Sequence, residues 1–300
     1  MTFENLKYAL VTPARNEARF IEQTIQSVVA QTILPVIWVV VSDGSTDETD
    51  EIVGRYLKNH PWIQLVRMPE RRERHFGAKV QAFNAGFARV KLYDYDIVGN
   101  LDADTTFGPD YFAFILQKFA EDAGLGVAGT PFIEDNQVYD YRFTNVEHVS
   151  GCCQLFRKQC FEDIQGYVPL RGGGIDWLAV TTARMKGWKT KTFTGTVCYH
   201  RRGMGTAEKN KLHALFAHGA KDYRLGGHPL WQLFRSFYQT SRKPYVIGGL
   251  MLLSGYAWSA MKGVKREVSP ELMRFHRREQ IQRLRRAFGM GSARGSAAVS

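Results

Sequence analysis

Cysteine is scarce in this chain, and low-complexity runs and internal repeats are absent. The four cysteines, Cys152, Cys153, Cys160 and Cys198, lack the paired spacing of a zinc site, and adjacent thiols are awkward partners for a structural disulfide. Reduced, mostly buried thiols are therefore expected, as in a cytosolic enzyme. The opening Met1-Thr2-Phe3-Glu4-Asn5 has neither the basic start nor the apolar core of a signal peptide, so none is expected. Charge is missing from one stretch and crowded around it. The net charge is +11 at pH 7, yet residues 242–294 hold twelve Lys or Arg against three Glu, so the basic character belongs to the tail. With 44% hydrophobic residues, the 300-residue chain can still bury a substantial core.

The most informative feature present is Asp102-Ala103-Asp104, directly after the apolar run Ile97-Val98-Gly99-Asn100-Leu101. Two carboxylates two residues apart at the end of a buried strand can turn toward one divalent cation, and hard cations favour oxygen ligands. Acidic pairs are common in loops, so the setting decides. Tyr8 to Thr12 is a short apolar run ending in Pro13-Ala14-Arg15-Asn16-Glu17, after which Phe20, Ile21, Ile25, Val28 and Val29 recur with helical spacing. Val36 to Val41 ends in Ser42-Asp43-Gly44-Ser45-Thr46-Asp47. There Gly44 supplies a tight turn, and Asp47 an N-cap for a helix carrying Ile52, Val53, Tyr56 and Leu57. Ile63 to Met68 and Ile97 to Leu101 are the third and fourth strands, separated by a helix with Val80, Phe83, Phe87 and Val90 on one face. This alternation predicts an α/β fold with a mostly parallel sheet, whose ligands lie beyond the strands' carboxyl ends. The polar clusters after strands one, two and four all fall there.

The ordered set resembles the family 2 glycosyltransferases. Its members here are Thr12-Pro13-Ala14-Arg15-Asn16-Glu17, Asp43-Gly44-Ser45-Thr46-Asp47, Gly77-Ala78-Lys79 with Asn84-Ala85-Gly86, Asp102-Ala103-Asp104, Gly172-Gly173-Gly174-Ile175-Asp176 and His200, together covering residues 8 to 205. The resemblance implies the Rossmann-like GT-A fold, and transfer of a sugar from a nucleoside diphosphate donor, a UDP-sugar by preference, to an acceptor hydroxyl. It also implies inversion at the anomeric carbon in most members and Mg²⁺ or Mn²⁺ as cofactor.

Carried onto this sequence, the resemblance makes the loop of Thr12, Pro13, Ala14, Asn16 and Glu17 part of the nucleotide-sugar site, with Thr12 and Pro13 walling the nucleobase. Asp43 matches the carboxylate that bonds the base or ribose; it also suits a turn-stabilising role in Ser-Asp-Gly-Ser. Asp102, with Ala103 beside it, matches the residue that contacts ribose or metal, and Asp104 the direct metal ligand. His200 stands equally for a third ligand or diphosphate contact and for a structural histidine after a strand running from Thr192 to Tyr199. Arg201 and Arg202 could clamp phosphate oxygens or form a solvated basic turn. Arg71, Arg72 and Arg74, before Gly77 and Lys79, could touch the base or phosphates or belong to an exposed charged loop. An acceptor hydroxyl needs a positioned base, and Asp176 is the candidate. It follows three glycines and opens a helical stretch whose dipole favours a carboxylate, although a plain N-cap would look the same. Ile175 departs from the Glu-Asp common in the family, and Gly151-Cys152-Cys153-Gln154 resembles the acceptor loop.

Pro244 to Met261 is eighteen residues without charge, flanked by Arg242-Lys243 and by Lys262, Lys265 and Arg266. That length is the lower limit for a spanning helix, and its glycines and serines soften it, so a span, a re-entrant hairpin and an interfacial helix all stay open. Ser269-Pro270-Glu271 reads as an N-cap followed by proline at the first helical position. The helix it starts mixes Leu272, Phe275, Ile281, Leu284 and Phe288 with six arginines, a pattern suited to an anionic bilayer surface; ordinary packing helices are the alternative. Lipid suits this layout better than nucleic acid. Aromatic residues in the helical patterns between Gly203 and Ser241 suggest an interfacial ledge.

The expected organisation is a GT-A catalytic domain over 1–205, a helical acceptor-side segment over 206–241, an apolar segment with a basic helix over 242–290, and a disordered tail over 291–300. The expected protein is a metal-dependent glycosyltransferase at the cytoplasmic face of the inner membrane, acting on a glycan or lipid-linked acceptor in cell-surface glycan synthesis. A sugar nucleotidyltransferase or a non-catalytic adaptor with the same fold are the alternatives. The first lacks its Gly-rich loop after strand one, and the second is opposed by the intact Asp102, Asp104 and Asp176.

Overall fold

A computed structural model of the chain describes residues 3–70, 76–134, 146–170, 172–201 and 211–289. Arg71, Arg72, Arg74, Arg202 and the tail 291–300 lie outside the described residues. The chain forms two compact units, Met1–Met204 and Gly205–Ser300.

In the first unit β1 (Tyr8–Ala14) pairs in parallel with β2 (Ile37–Asp43), with helix α1 (Ile21–Val29) between them in sequence. Both strands outrun the apolar runs Tyr8–Thr12 and Val36–Val41, because Pro13 and Ala14 still pair with Val41 and Ser42. Helix α1 buries Ile21, Thr24, Ile25 and Val28, one stripe at helical spacing. Helix α2 (Thr49–Leu57) starts after Glu48 rather than at Asp47. Asp47 caps from one residue further back, its Oδ1 accepting from the Thr49 N–H and hydroxyl at 3.1 and 2.5 Å. Strand β3 (Ile63–Met68), helix α3 (Phe76–Val90) and strand β4 (Ile97–Leu101) follow, the two strands with the bounds that their apolar runs predict. A Cβ on Gly86 of α3 would lie 2.6 Å from Val11 Cγ1 and 2.8 Å from Val41 Cγ2, so this glycine sets how closely α3 seats on the sheet.

Next come β5 (Thr105–Phe107), α4 (Tyr111–Glu121), β6 (Leu125–Gly129), β7 (Phe132–Ile133), β8 (Cys153–Arg157), α5 (Lys158–Asp163), α6 (Ile175–Met185), β9 (Lys189–Thr192) and β10 (Cys198–His200). The large sheet has the order β3-β2-β1-β4-β8-β6-β9 and is parallel except for β8, which runs antiparallel to β4 and β6. This is the mostly parallel, helix-flanked α/β architecture that the alternation predicts. A second sheet, β5-β10-β7, has three strands. The single strand expected from Thr192 to Tyr199 is in fact two: β9 closes in the large sheet at Thr192 and β10 opens in the small one at Cys198. The chain changes sheets through Gly195, where a Cβ would meet the Phe114 ring at 2.8 Å. Fully buried Tyr8, Trp38, Phe112 and Phe156 pack on the faces of the large sheet, and all four cysteines are free and buried.

The second unit contains α7 (Lys211–Arg224), α8 (Pro229–Thr240), α9 (Tyr245–Met261) and α10 (Pro270–Ala287). Helix α9 packs on both α7 and α8. Its backbone touches that of α7: a Cβ on Gly255 would sit 1.9 Å from the Phe216 carbonyl oxygen, and one on Gly219 1.9 Å from that of Leu252. Among the described residues no helix is long and apolar enough to cross a membrane, which removes the spanning reading of Pro244 to Met261. Helix α10 starts as its sequence predicts, Ser269 Oγ accepting from the Leu272 N–H at 3.2 Å with Pro270 in the first turn. It turns Leu272, His276 and Gln280 inward and leaves Phe288 exposed.

Candidate active site

The sheet reverses direction of growth at β1, with β2 and β3 on one side and β4 on the other. Crevices beyond the carboxyl ends of strands at such a reversal accept ligands. Strand β4 delivers Asp102-Ala103-Asp104 to this point, and backbone ties shape the turn. The Asp102 N–H donates to the Cys152 carbonyl at 2.8 Å, the Asp102 carbonyl accepts from the Thr105 N–H at 3.3 Å, and the buried Ala103 carbonyl accepts from Thr24 Oγ1 at 2.8 Å. His200 arrives by strand pairing: β10 runs antiparallel to β5, His200 facing Thr105 in the register. Its Nε2 lies 3.3 Å from Asp104 Oδ1, and the Arg201 N–H donates to the Asp104 carbonyl at 2.8 Å.

Lys79, in the first turns of α3, donates from Nζ to Asp102 Oδ1 at 2.5 Å. The same oxygen accepts from Asn100 Nδ2 at 3.2 Å, and that amide also donates to the Gly151 carbonyl at 2.6 Å. Burial works against the Lys79 ammonium, but the Asp102 carboxylate, with Asp176 and Asp104 behind it, outweighs that and holds its pKa above the ordinary value. Asp176 is thus electrostatically part of the cluster.

Asp176 is not the N-cap of α6. Gly174 holds that position at φ 96, after Gly173 at φ 76, so the glycine run is needed for two consecutive left-handed residues. Asp176 is instead the second residue of the helix, half-buried, and its side chain lies over the Gly151 α-carbon: a Cβ there would be 3.0 Å from Asp176 Cβ. His148 Nε2 is 3.9 Å from Asp176 Oδ2.

The first two loops are pinned to each other. Asn16, at φ 55, accepts from the Thr46 N–H at 2.8 Å, and its own N–H donates to Ser45 Oγ at 3.1 Å. The Glu17 N–H donates to Thr49 Oγ1 at 2.8 Å. Thr12 is fully buried and accepts from the Trp38 indole at 2.9 Å, so its side chain supports the strand end rather than forming a pocket wall. Ala14 and Asp43 are also buried at the carboxyl ends of β1 and β2, and Pro13 is half-buried. Arg201 is exposed and donates to Thr106 Oγ1 at 3.0 Å. His148 and Asn100 were not singled out from the sequence, whereas Gly151 belongs to the phrase Gly151-Cys152-Cys153-Gln154 that resembles the acceptor loop.

Asp102, Asp104 and His200 each offer a ligand atom, and all three atoms lie within 4.8 Å of one another. Two carboxylates suit Mg²⁺ or Mn²⁺, and the imidazole adds a third donor. Among the described residues His200 Nδ1 is buried without a hydrogen-bond partner.

The mostly parallel, helix-flanked sheet with paired aspartates at its switch point matches the GT-A fold of solved structures. Residues 9–145 match the model of glycosyl transferase family 2. It is 31% identical over 140 residues to the poly-beta-1,6-N-acetyl-D-glucosamine synthase of Staphylococcus aureus (strain COL), covering 46% of this chain and 32% of that protein. The chain therefore spans about a third of that relative's length. Among solved structures it is similar to the mannosyltransferase PcManGT from Pyrobaculum calidifontis in complex with GDP-Man and Mn²⁺. There the TM-score is 0.57 at 20% identity, over 96% of this chain and 85% of that one. It is also similar to S. aureus TarS 1–349 in complex with UDP-GlcNAc, with a TM-score of 0.54 at 14% identity over 95% and 84%.

Proposed function

We propose that the chain transfers a sugar, with inversion, from a nucleoside diphosphate sugar to an acceptor hydroxyl. The observation that carries this reading is the convergence of Asp102, Asp104 and His200 at the sheet's switch point, with Asp176 coupled to them through Lys79. Asp102, Asp104 and His200 would hold Mg²⁺ or Mn²⁺, which when bound supplies positive charge for the departing nucleoside diphosphate. Asp176 is the general base: it accepts the acceptor's proton as the hydroxyl oxygen attacks the anomeric carbon. The absence of a side chain on Gly151 beneath it lets Asp176 pack this close to the Gly151 backbone. Asp43 and the loop around Pro13 and Asn16 receive the nucleoside.

The nucleotide-bound relatives of this fold support the donor class, and a UDP-sugar is the first donor to test. The acceptor is a growing glycan or a lipid-linked saccharide. The enzyme works at the cytoplasmic face of a membrane, a reading supported by the basic tail. A thermal-shift screen of nucleoside diphosphates tests the site, since a ligand at a hundredfold excess over its Kd adds about 2.7 kcal/mol to native stability. UDP is expected to raise Tm only with Mn²⁺ or Mg²⁺ present, and Asp104→Ala to abolish that cation-dependent rise. An equal rise in the variant removes Asp104 from the metal site.

A further inference from the structure

The second unit is built with its polarity reversed. In α8 the buried side chains include Gln232 and Ser236, 2% and 5% exposed, while Leu230, Leu233 and Phe237 form an outward stripe, Phe237 at 77%. Gln232 Nε2 donates to the Leu252 carbonyl of α9 at 3.2 Å, so the polar face of α8 is spent on a helix–helix hydrogen bond. Helix α9 repeats the pattern. Four of its six buried residues, Gly248, Gly249, Gly255 and Ser259, are small, whereas Val246, Ile247, Leu250, Trp258 and Met261 point outward. In water an amphipathic helix turns its large apolar side chains to the core. Small residues and hydrogen bonds between helices, with large apolar residues outside, are the arrangement of helices whose outer face meets hydrocarbon.

The ends of the stripe indicate which hydrocarbon. At the start of α9, Arg242 stacks its guanidinium over the Tyr238 ring at 4.6 Å, beside Lys243 and the exposed Tyr245. At its end, Lys262 lies over the Trp258 ring at 4.9 Å. Aromatic rings carrying cations mark the depth of lipid headgroups. A helix of 17 residues is only about 25 Å long, short of the roughly 30 Å hydrocarbon core. Cationic aromatic anchors at both its ends are reached together if it lies in one leaflet.

We propose that the outward face of α8 and α9 embeds in a single leaflet of a bilayer containing anionic phospholipid, with Arg242, Lys243 and Lys262 at the phosphates. This rests on the proposed membrane localisation but assigns the contact to an apolar face rather than to the arginines of α10. It does not depend on the chemistry of the first unit.

The test compares the full chain with Ile247→Glu/Leu250→Glu and with Arg278→Glu/Arg285→Glu, using vesicles of phosphatidylcholine with and without phosphatidylglycerol. The wild type is expected to partition onto the anionic vesicles and to stay bound in high salt. Ile247→Glu/Leu250→Glu is expected to lower the partition coefficient by about tenfold or more, with the far-UV spectrum and nucleotide-induced Tm shift unchanged. The α10 variant should lose less. Quenching by brominated acyl chains should diminish in Trp258→Phe. Wild-type binding that the α9 variant leaves intact overturns the face assignment while keeping the membrane. No vesicle binding by the wild type overturns both. A concentration-dependent oligomer dispersed by the α9 variant, without vesicle binding, assigns the face to a second copy and overturns the proposal.

Discussion

The two units of this chain obey opposite burial rules. In the first, Ile97 lies in β4, a strand buried along its whole length; in the second, Ile247 in α9 is 59% exposed while Gln232 nearby in sequence is 2% exposed. The same side chain is core in one place and surface in the other. What differs is the partner, sheet and helix faces for the first and an outside face for the second. Burial patterns thus record what each face packs against as well as the fold.

The largest effect belongs to chemistry. Asp176→Asn should lower turnover by about 10²–10⁴, the range for loss of a general base, while leaving nucleoside diphosphate binding and vesicle partition as in the wild type. Steady-state kinetics beside a thermal shift separates these, and near wild-type turnover would remove Asp176 from the base role. If vesicle binding fell with it, the independence of the two units would break.

Core energetics come next. Ile97→Ala should cost about 2–5 kcal/mol in urea unfolding, through lost burial and the cavity left among close-packed neighbours. A smaller loss would mean that the sheet relaxes around the gap.

The thiols give a pH signature to the first unit alone. Burial pushes Cys160 up to about 12 from an ordinary value of 9.0, and lifts Cys153 further. Above pH 9 the unfolded chain therefore loses these protons before the folded one does, and stability falls as pH rises through that window. Each such thiol should subtract about 1.4 kcal/mol per pH unit. Lys79 adds in the same direction, since its raised pKa keeps the folded state protonated at higher pH. Urea midpoints at pH 8 and 10 check the sign, and Cys160→Ala should flatten the slope.

The smallest effect is the sharpest contrast with Ile97. Ile247→Ala should change lipid-free stability by within about 0.5 kcal/mol, as for an exposed position. A cost like that of Ile97→Ala would show that the outward face is covered by protein after all.

Much of the first unit was legible because its strands are short, mostly apolar runs bounded by polar turns. The runs Ile63 to Met68 and Ile97 to Leu101 are strands at those bounds, and Asp102-Ala103-Asp104 marks the switch point. Pairing decided what composition could not. Pro13 and Ala14 are strand residues because β2 continues beside them, and the stretch around Gly195 is a sheet-to-sheet crossing because Phe114 fills the space a side chain there would need. The alternative reading of Asp176 as a plain N-cap of α6 does not hold, because the left-handed Gly174 fills that role. His148 was missed because it is a lone polar residue whose proximity to Asp176 arises only from folding, and Asn100 because it sits inside an apolar strand run. In the second unit the sequence showed an uncharged segment but not which side faces out. That depends on α7 and α8 selecting the glycines as their contact surface.

The pairing of β10 with β5 bears on how the chain tolerates insertions. Neighbouring residues on a strand face opposite ways, so a slip of one position in this three-residue strand would carry the exposed Tyr199 to the place of His200 beside Asp104. An extra residue at 194–196 can be absorbed as slack before the strand begins. One inserted between Cys198 and Tyr199 would swap imidazole for phenol at the cluster, converting a length change of a few ångströms into an exchange of chemical groups.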